Sequence, residues 1–502
     1  MFLRLVRGAA PLLLLLATAA PAQTDAPVTP ADLRRHIETL ASDDFQGRAP
    51  GTAGETRTVE YIADQLRTRG LEPGGENGSW FQPIGLVERT TESHRASWTA
   101  NGRELSFDQA QIALQGREAD VRVADAPVVF AGHGVRLPER GIDQLAGVDV
   151  TGAVVILLLD APDVPGFPSL AQRVATVTEA GAAAVVAVTG PDIQWGFITR
   201  NYQRPTTKLA SQTVPSIVGA MPAATVQRLV EAAGGNFERL LNDQPGSSFR
   251  AVTLPIRASL EVRTAVTPYT TRNVIGRIRG SGNGGENLVY LGHWDHFGTC
   301  RPPGEADRIC NGAVDNASGI AALIEIAGRL AAQPRPPRDI LILATTAEEL
   351  GLLGAEYFAT HPTVPLASIV AAINLDTIAI HAAGEPVAMI GRGQPALDAV
   401  VDATVAAMGR RLDTDDDAAA FIERQDGWAL TRAGVPAIMV GGSFSNMEIL
   451  NNFLSGVYHG PEDEAGPQLV LDGAAEDASL LVALGRRLAD PAVYRREAGE
   501  AE

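Results

Sequence analysis

Histidine and carboxylate residues recur in five short stretches of the C-terminal half of this sequence. The stretches are LGHWDH from residue 291, GAVDNASG from residue 312, TTAEELG from residue 345, INLD from residue 373 and YHGPEDE from residue 458. Imidazole and carboxylate groups without a thiolate are typical ligands of zinc and related divalent metals. Any one of these residues alone has a simpler explanation, because an aspartate before a helix is usually an N-cap and paired glutamates favour a helix start. Only their convergence in space would make a metal site.

The elements around these stretches predict that convergence. Apolar runs typical of buried strands end in three of them, in ENLVYLGH, DILILATT and LASIVAAINLD, and GVPAIMVGG resembles a further strand. A helical pattern, ASGIAALIEIAGRL, separates the first two strands. Alternating strands and helices predict an α/β fold with a mixed, mostly parallel central sheet and helices on both faces. In such a sheet, ligands bind beyond the carboxyl ends of the strands, where the polar stretches lie.

Two adjacent carboxylates, Glu348 and Glu349, follow a buried strand and would repel each other. Two divalent cations would offset this repulsion, and a shared carboxylate can bridge such ions at a spacing of about 3.5–4 Å. Since adjacent side chains point in different directions, one glutamate could bind metal while the other faces the reacting water. The pattern therefore predicts a hydrolytic site with two metal ions.

The first 22 residues are typical of a signal peptide. Arg4 and Arg7 precede an apolar stretch, and the small residues Ala20 and Ala22 fit a cleavage site. A membrane anchor is the weaker alternative, because the apolar stretch is too short to span a bilayer. No later segment has eighteen consecutive apolar residues. We therefore expect an exported protein, periplasmic or secreted, that does not stay on a membrane after cleavage.

Composition narrows the partners and the compartment. The net charge of −18 argues against nucleic acid and anionic membrane surfaces as partners. The chain has two cysteines, Cys300 and Cys310, and in an exported protein a pair this close favours a disulfide. Two metal-binding thiolates are the alternative, although the spacing is not C-x-x-C and no third cysteine exists. No oligomeric state is predicted.

The five stretches, in this order and at these distances, closely resemble the M28 metallo-aminopeptidases, which are zinc exopeptidases. SDDFQGRAPGTAGE near the start and TTRNVIG before the first stretch extend the resemblance. It implies a zinc-peptidase fold, similar to phosphorylase/hydrolase proteins, built from residues 31–104 and 263–495. Residues 105–262, where short β-rich runs carry no cluster of candidate ligands, would form an inserted small α/β protease-associated domain. Peptides would be the substrates.

The resemblance also assigns a role to each candidate ligand of two zinc ions. His293 and Asp376 would bind one ion. Glu349 and His459 would bind the other, and Asp315 would bridge the pair. His296 has no metal role in this scheme, and a structural role is expected for it.

Three further residues would act in catalysis. Glu348 would be the general base that moves a proton from water to the leaving amine. Asp295 would hold the far nitrogen of the His293 imidazole. Tyr458 would donate a hydrogen bond to the oxyanion, a contribution of about 3–4 kcal/mol for such a donor.

The substrate pocket is where this sequence departs from the family. Relatives often carry RSDH before GIPA, whereas this chain has Arg424, Gln425, Asp426 and Gly427 there. Arg424 and Asp426 are kept, so we expect them at the pocket, while substrate preference stays open. A glutamate-releasing carboxypeptidase and a glutaminyl cyclase are alternative activities on this scaffold. A catalytically inactive, receptor-like binding protein is the alternative outside the enzymes. The presence of all five candidate ligands and of the candidate base Glu348 argues against it.

Overall fold

The computed structural model describes residues 26–162, 167–243, 249–282 and 285–497. The predicted signal peptide lies outside the described residues. The α-helices are α1 (Pro30–Leu40), α2 (Ala53–Thr68), α3 (Leu170–Glu179), α4 (Trp195–Gln203), α5 (Ala223–Ala232), α6 (Phe237–Asp243), α7 (Gly319–Ala331), α8 (Leu353–Thr360), α9 (Pro395–Ala407), α10 (Gly427–Arg432), α11 (Met447–Ser455) and α12 (Leu471–Leu488). Within the described ranges, no helix combines the length and the apolar character needed to cross a bilayer.

The strands form one large sheet and two short hairpins. They are β1 (Glu72–Pro73), β2 (Phe81–Ala100), β3 (Arg103–Glu104), β4 (Ala113–Gly116), β5 (Asp120–Phe130), β6 (Arg136–Leu137), β7 (Ile142–Asp143), β8 (Val154–Leu158), β9 (Ala184–Thr189), β10 (Thr206–Leu209), β11 (Ile217–Pro222), β12 (Val252–Ile278), β13 (Asn287–His293), β14 (Gly298–Thr299), β15 (Ile309–Cys310), β16 (Asp339–Thr345), β17 (Ile369–Asn374), β18 (Ala388–Ile390) and β19 (Ala437–Gly441).

One half of the large sheet carries the polar stretches. Its strand order is β18-β19-β17-β13-β16-β12. The four central strands are parallel, while β18 and β12 pair antiparallel at the two sides. The predicted α/β fold with a mixed, mostly parallel sheet is therefore confirmed.

Helices cover both faces of this half because its strands are apolar on both sides. Leu288 and Tyr290 of β13 point into a core shared with α1, α2, α7, α9 and α12. The alternate residues, Val289 and Leu291, point to the opposite face, where they pack with residues of α8 and α10. Full burial of each such aliphatic side chain contributes about 1.5–3 kcal/mol. Because both faces of these parallel strands are buried, their sequences are continuous apolar runs.

Two long strands connect this half to a second one. β12 pairs with β2 along most of its length, with β16 at its C-terminal end and with β5 nearer its start. Beyond β5 the order continues β8-β9-β11-β4. A separate core, which includes Trp98, Phe130 and Leu260, holds this second half together. Its assignment to residues 105–262 as a protease-associated domain stays a prediction, and the core also draws on residues 96–100 of β2.

Candidate metal centre

Strand register brings three of the polar stretches to one edge of the sheet. His293 at the end of β13 lies directly opposite Thr345 at the end of β16. On the other side, Leu291 of β13 pairs with Asn374 at the end of β17. The chain segments that follow β16 and β17 carry Glu348, Glu349 and Asp376, so these carboxylates emerge beside His293.

Asp315 lies between two imidazoles. Its Oδ1 atom is 3.2 Å from Nε2 of His293, and its Oδ2 atom is 3.3 Å from Nε2 of His459. The residue is 3% exposed and sits in the loop that leads into α7. Burial alone would raise the pKa of Asp315, but hydrogen bonds from the two histidines hold it well below its usual value. Each carboxylate oxygen thus faces a different histidine, as a bridging ligand requires.

The remaining candidate ligands divide between the two sides of Asp315. On the first side, Oδ1 of Asp376 is 3.7 Å from Nε2 of His293. On the second side, Oε2 of Glu349 is 3.1 Å from Nε2 of His459. The structure therefore brings all five predicted ligands together.

His296 also reaches the second group. Its Nδ1 atom is 2.6 Å from Oε1 of Glu349, and the donor atoms of His296, Asp315 and Glu349 lie within 4.8 Å of one another. His293, Asp315 and Asp376 satisfy the same distance criterion on the first side. Sequence reasoning gave His296 a structural role, and the available signal for its position was its place directly after Asp295 and three residues after His293.

The donor set fits divalent cations. Four carboxylates, from Asp315, Glu348, Glu349 and Asp376, meet three imidazoles in a mostly buried space. Close carboxylates cannot all stay ionised without positive charge between them. Nitrogen and oxygen donors in this mixture are those that zinc accepts. The residues present therefore satisfy the chemistry of a zinc site.

Glu348, the predicted general base, is held in place by a hydrogen bond from its main-chain N–H. Its N–H donates to Oδ1 of Asp295 over 3.1 Å, and its Oε2 lies 4.0 Å from Nε2 of His293. Burial, followed by repulsion from Glu349, raises the pKa of Glu348 well above its usual value, against the opposing effect of His293. Glu348 and Glu349 therefore face different partners, although they are neighbours in sequence.

Asp295 contributes in a different way from the one predicted. The far nitrogen of His293, Nδ1, lies 3.2 Å from the main-chain carbonyl of Asp295 and 3.9 Å from its carboxylate. The carbonyl is thus the closer partner of the ring. The carboxylate instead receives the N–H of Glu348, and burial raises the pKa of Asp295 to about 7. Asp295 therefore contacts His293 through its main-chain carbonyl and Glu348 through its carboxylate.

Arg48 fixes the main chain beneath the site. The residue comes from the SDDFQGR stretch and is fully buried. Its guanidinium donates over 2.5–2.9 Å to the main-chain carbonyls of Leu40, Trp294, Asn311 and Gly312. Burial lowers the pKa of Arg48 to about 10, so the group stays charged at neutral pH. Arg48 therefore ties the segment after β13 to the loop that carries Asp315.

Asp463 holds the Asp315 loop from the other side. Its Oδ1 accepts the N–H of Val314 over 2.9 Å, and its Oδ2 accepts the N–H of Asp315 over 3.0 Å. Its carbonyl accepts the N–H of Ala313 over 3.0 Å. Burial raises the pKa of Asp463 to about 6, although the two N–H bonds oppose this shift. Sequence reasoning gave no role to this residue, four positions after His459.

Tyr458 and Arg424 border a small cavity beside Asp376. Tyr458 stacks on the imidazole of His459, with ring centroids 3.6 Å apart. Apolar side chains complete the wall, among them Phe421, Met439, Phe444, Leu450 and Leu454. Asp426 is not among the residues that line this cavity. It is buried, and its carboxylate accepts a hydrogen bond from the hydroxyl of Thr345.

Cys300 and Cys310 form a disulfide, which confirms the predicted pairing. Their Cα atoms are 5.8 Å apart, and the bond closes the hairpin of β14 and β15. Sγ of Cys310 lies 3.4 Å from the carbonyl of His459. The disulfide therefore supports the main chain behind one of the candidate ligands and leaves no thiolate for metal.

An α/β sheet with buried imidazoles and carboxylates at its carboxyl edge is an arrangement suited to binding divalent metal ions. Residues 273–476 match the family model described as peptidase family M28, and these residues carry every candidate ligand. Residues 273–476 are thus a domain of peptidase family M28, and the chain that carries them is a metallopeptidase.

Two relatives are similar in sequence to this chain, and one solved structure is similar in fold. A probable lipoprotein aminopeptidase, LpqL, of Mycobacterium tuberculosis is 24% identical over 82% of this chain and 72% of its own length. A probable zinc metalloprotease of Pyrenophora teres f. teres is 30% identical, but the match spans only 34% of each chain. The structure of an aminopeptidase from Aneurinibacillus sp. strain AM-1 is similar in fold, with a TM-score of 0.53, 16% identity, and coverage of 94% of this chain and 96% of that chain.

Proposed function

We propose that this chain is an exported, zinc-dependent aminopeptidase that removes N-terminal residues from peptides at a site for two zinc ions. The observation that carries the proposal is the position of Asp315, whose two carboxylate oxygens lie 3.2 and 3.3 Å from the imidazoles of His293 and His459. A ligand shared in this way suits a pair of metal ions better than a single ion.

The proposed ligands are those that the sequence predicts. His293 and Asp376 would hold one zinc ion, Glu349 and His459 the other, and Asp315 both. Bound zinc supplies Lewis-acid chemistry, which polarises a substrate carbonyl and lowers the pKa of a water molecule. His296, hydrogen-bonded to Glu349, would fix the orientation of that carboxylate, as partners of metal ligands commonly do.

Glu348 would move the proton. Its carboxylate lies at the rim of the site within 4.0 Å of Nε2 of His293, and its N–H is fixed by Asp295. From there it can accept a proton from the attacking water and deliver it to the nitrogen of the leaving group. Tyr458, stacked on His459, would donate its hydroxyl proton to the oxyanion in a hydrogen bond.

Two features support an amino end and an apolar side chain on the substrate. Carboxylates at the rim, such as Glu348 and Asp376, favour an ammonium group over a carboxylate. The cavity beside Asp376 has a volume of about 30 Å³ and several apolar side chains in its wall, which would favour a small apolar side chain on the N-terminal residue. Export is supported by the disulfide, because such bonds persist in oxidising compartments.

The matched variants Glu348→Gln and Glu349→Gln test the two roles. We expect Glu348→Gln to keep the zinc content of the wild type and to lose about 10²–10⁴-fold in kcat, because only the proton carrier is removed. Glu349→Gln should instead lower the zinc content. Full turnover in Glu348→Gln would refute the base assignment, and loss of zinc from that variant alone would mean that the two roles are exchanged.

Substrates with a free or a blocked N-terminus test which end of a peptide the enzyme recognises. We expect leucine p-nitroanilide to be hydrolysed, N-acetyl-leucine p-nitroanilide to be resistant, and activity to disappear with a chelator and return with zinc. Cleavage of only an N-blocked peptide with a C-terminal glutamate would favour a carboxypeptidase. Cyclisation of an N-terminal glutamine without peptide hydrolysis would favour a glutaminyl cyclase.

A further inference from the structure

A second, larger cavity lies in the other half of the sheet. It has a volume of about 440 Å³ and is bounded by α3, by residues 201–218 and by parts of β2 and β4. None of its lining residues lines the small cavity beside Asp376. Its volume falls within the range of about 300–1,000 Å³ that is usual for small-molecule sites. The cavity is therefore large enough for a ligand and separate from the metal centre.

Apolar side chains form much of its wall. Leu170 and Val174 of α3 line the cavity together with Val214, Pro215 and Val218. A recess with such a wall can take apolar surface of a ligand out of water, which is favourable. The wall therefore favours a ligand with an apolar body.

Three cationic residues also line the cavity, and none of its lining residues within the described ranges is acidic. They are Arg89, Arg117 and Lys208, and Lys208 is the only lysine of a chain with a net charge of −18. In the described part of the chain, none of the three forms an ion pair with a carboxylate. Exposed arginines elsewhere do so, for example Arg122 with Glu261 and Arg257 with Asp125.

The two arginines lie close enough to repel each other. Nε of Arg89 donates to the main-chain carbonyl of Arg117 over 2.8 Å. Burial, and then the positive charge of Arg117, lowers the pKa of Arg89. Like charges held together without a counter-ion favour a bound anion, because an anion removes their repulsion.

Tyr202 adds a neutral donor. It lines the cavity, and its hydroxyl makes no hydrogen bond within the described residues. A phenol can donate to a carboxylate oxygen at neutral pH. The cavity thus combines an apolar wall, three unpaired cations and a free donor.

We propose that this cavity binds a small molecule that carries a carboxylate at the end of an apolar body. The carboxylate lies among Lys208, Arg89 and Arg117, and the apolar body lies along α3. A medium-chain fatty acid and an apolar peptide with a free C-terminus share this chemistry. The proposed site is separate from the metal centre, because it uses none of the residues of that centre.

Isothermal titration of the full-length zinc-loaded protein tests the proposal. The probes are octanoate and N-acetyl-leucyl-leucine, which represent the two sources, with octanol and acetate as partial ligands. We expect one of the two carboxylates to bind one molecule per chain, octanol to bind about tenfold or more weakly, and acetate not to bind. A charge-assisted hydrogen bond of about 1.5–3 kcal/mol corresponds to a change of that size.

Two variants place the binding in this cavity. Lys208→Met removes the charge at an exposed position, and Ala175→Trp fills the cavity from α3; both should weaken binding at least about tenfold. Arg103→Met is the matched control, since it removes one exposed positive charge outside the cavity and should change nothing. Thermal unfolding and aminopeptidase activity of Lys208→Met should equal those of the wild type.

Three results would overturn the proposal. The first is the absence of binding by both carboxylates at millimolar concentration. The second is equal binding of octanol and octanoate, because the cations would then have no part in recognition. The third is binding that Lys208→Met and Ala175→Trp leave unchanged, as a carboxylate bound at the zinc site would show. Tighter binding of octanoate or of the peptide identifies the source.

Discussion

Replacing Asp463 with asparagine tests how the fold positions Asp315, the proposed bridging carboxylate. Asp463 accepts the N–H groups of both Val314 and Asp315, one on each oxygen, and is 2% exposed. Asparagine has nearly the same shape but only one side-chain oxygen. Its amide group would therefore point N–H groups at one of the two main-chain donors, leaving that donor buried without an acceptor.

The magnitude follows from these two contacts. Loss of a hydrogen bond to a charged group costs about 1.5–3 kcal/mol, and an unsatisfied buried N–H costs about 1–3 kcal/mol. Because the two costs overlap in part, we expect the free energy of unfolding of the zinc-free protein to fall by about 3 kcal/mol. Displacement of Asp315 should also weaken zinc binding by about 10–100-fold, as loss of a partner behind a ligand commonly does.

Urea unfolding of the zinc-free protein and zinc competition with a chromogenic chelator measure the two effects. Glu462→Gln is the matched control, since Glu462 is a neighbouring exposed acid that lies 3.9 Å from Arg301. An exposed pair of this kind contributes about 0–1 kcal/mol. Unchanged stability and zinc affinity in Asp463→Asn would refute the idea that this carboxylate holds the Asp315 loop.

Two further predictions concern stability. His381 is buried, and both of its ring nitrogens lie near acceptors: Oδ2 of Asp477 at 2.9 Å and the carbonyl of Ala382 at 3.0 Å. Burial lowers the pKa of His381, and the charge of Arg410 lowers it as well. The hydrogen bond to Asp477 and the negative charge of Asp477 outweigh both effects, so the pKa of His381 is raised above its usual value. A raised folded pKa means that this stabilisation is complete below the unfolded value, about 6.5, and is lost as the pH rises through the folded value, so wild-type unfolding free energy should fall over that window more than in His381→Gln. Reduction of the disulfide between Cys300 and Cys310 should lower the free energy of unfolding in urea by about 3 kcal/mol, and it should also lower zinc affinity because Cys310 lies against His459. An unchanged unfolding midpoint in the presence of reductant would contradict this prediction. Parallel pH profiles of the wild type and His381→Gln would contradict the prediction for His381.

The sequence predicts the part of the site that depends on strand ends. The apolar runs before His293 and before Asp376 are long enough to be recognised as buried strands, and they are strands β13 and β17. Parallel strands place their carboxyl ends at one edge, so the convergence of these residues follows from periodicity and chemistry alone. The disulfide between the two cysteines was predictable for a similar reason, since it closes a local loop.

Other features depend on contacts between residues that are far apart along the chain. Arg48 binds the carbonyl of Asn311 across a separation of 263 residues, and an arginine in a turn carries no sequence signal of that partner. The direction of a side chain cannot be predicted from the sequence either. Asp426 is hydrogen-bonded to Thr345 in the interior, while Arg424 lines the small cavity beside Asp376.

The amino-acid sequence by itself thus determined the metallopeptidase class and which residues are candidate ligands, because ligand types and buried strands are local properties. Only the tertiary structure decided how those residues are held, through Arg48 and Asp463, and which ring nitrogen or carboxylate oxygen faces which partner. Tertiary packing also created the cavity around Lys208, whose walls come from four separate segments. Such sites arise from distances between segments, and a one-dimensional pattern does not contain those distances.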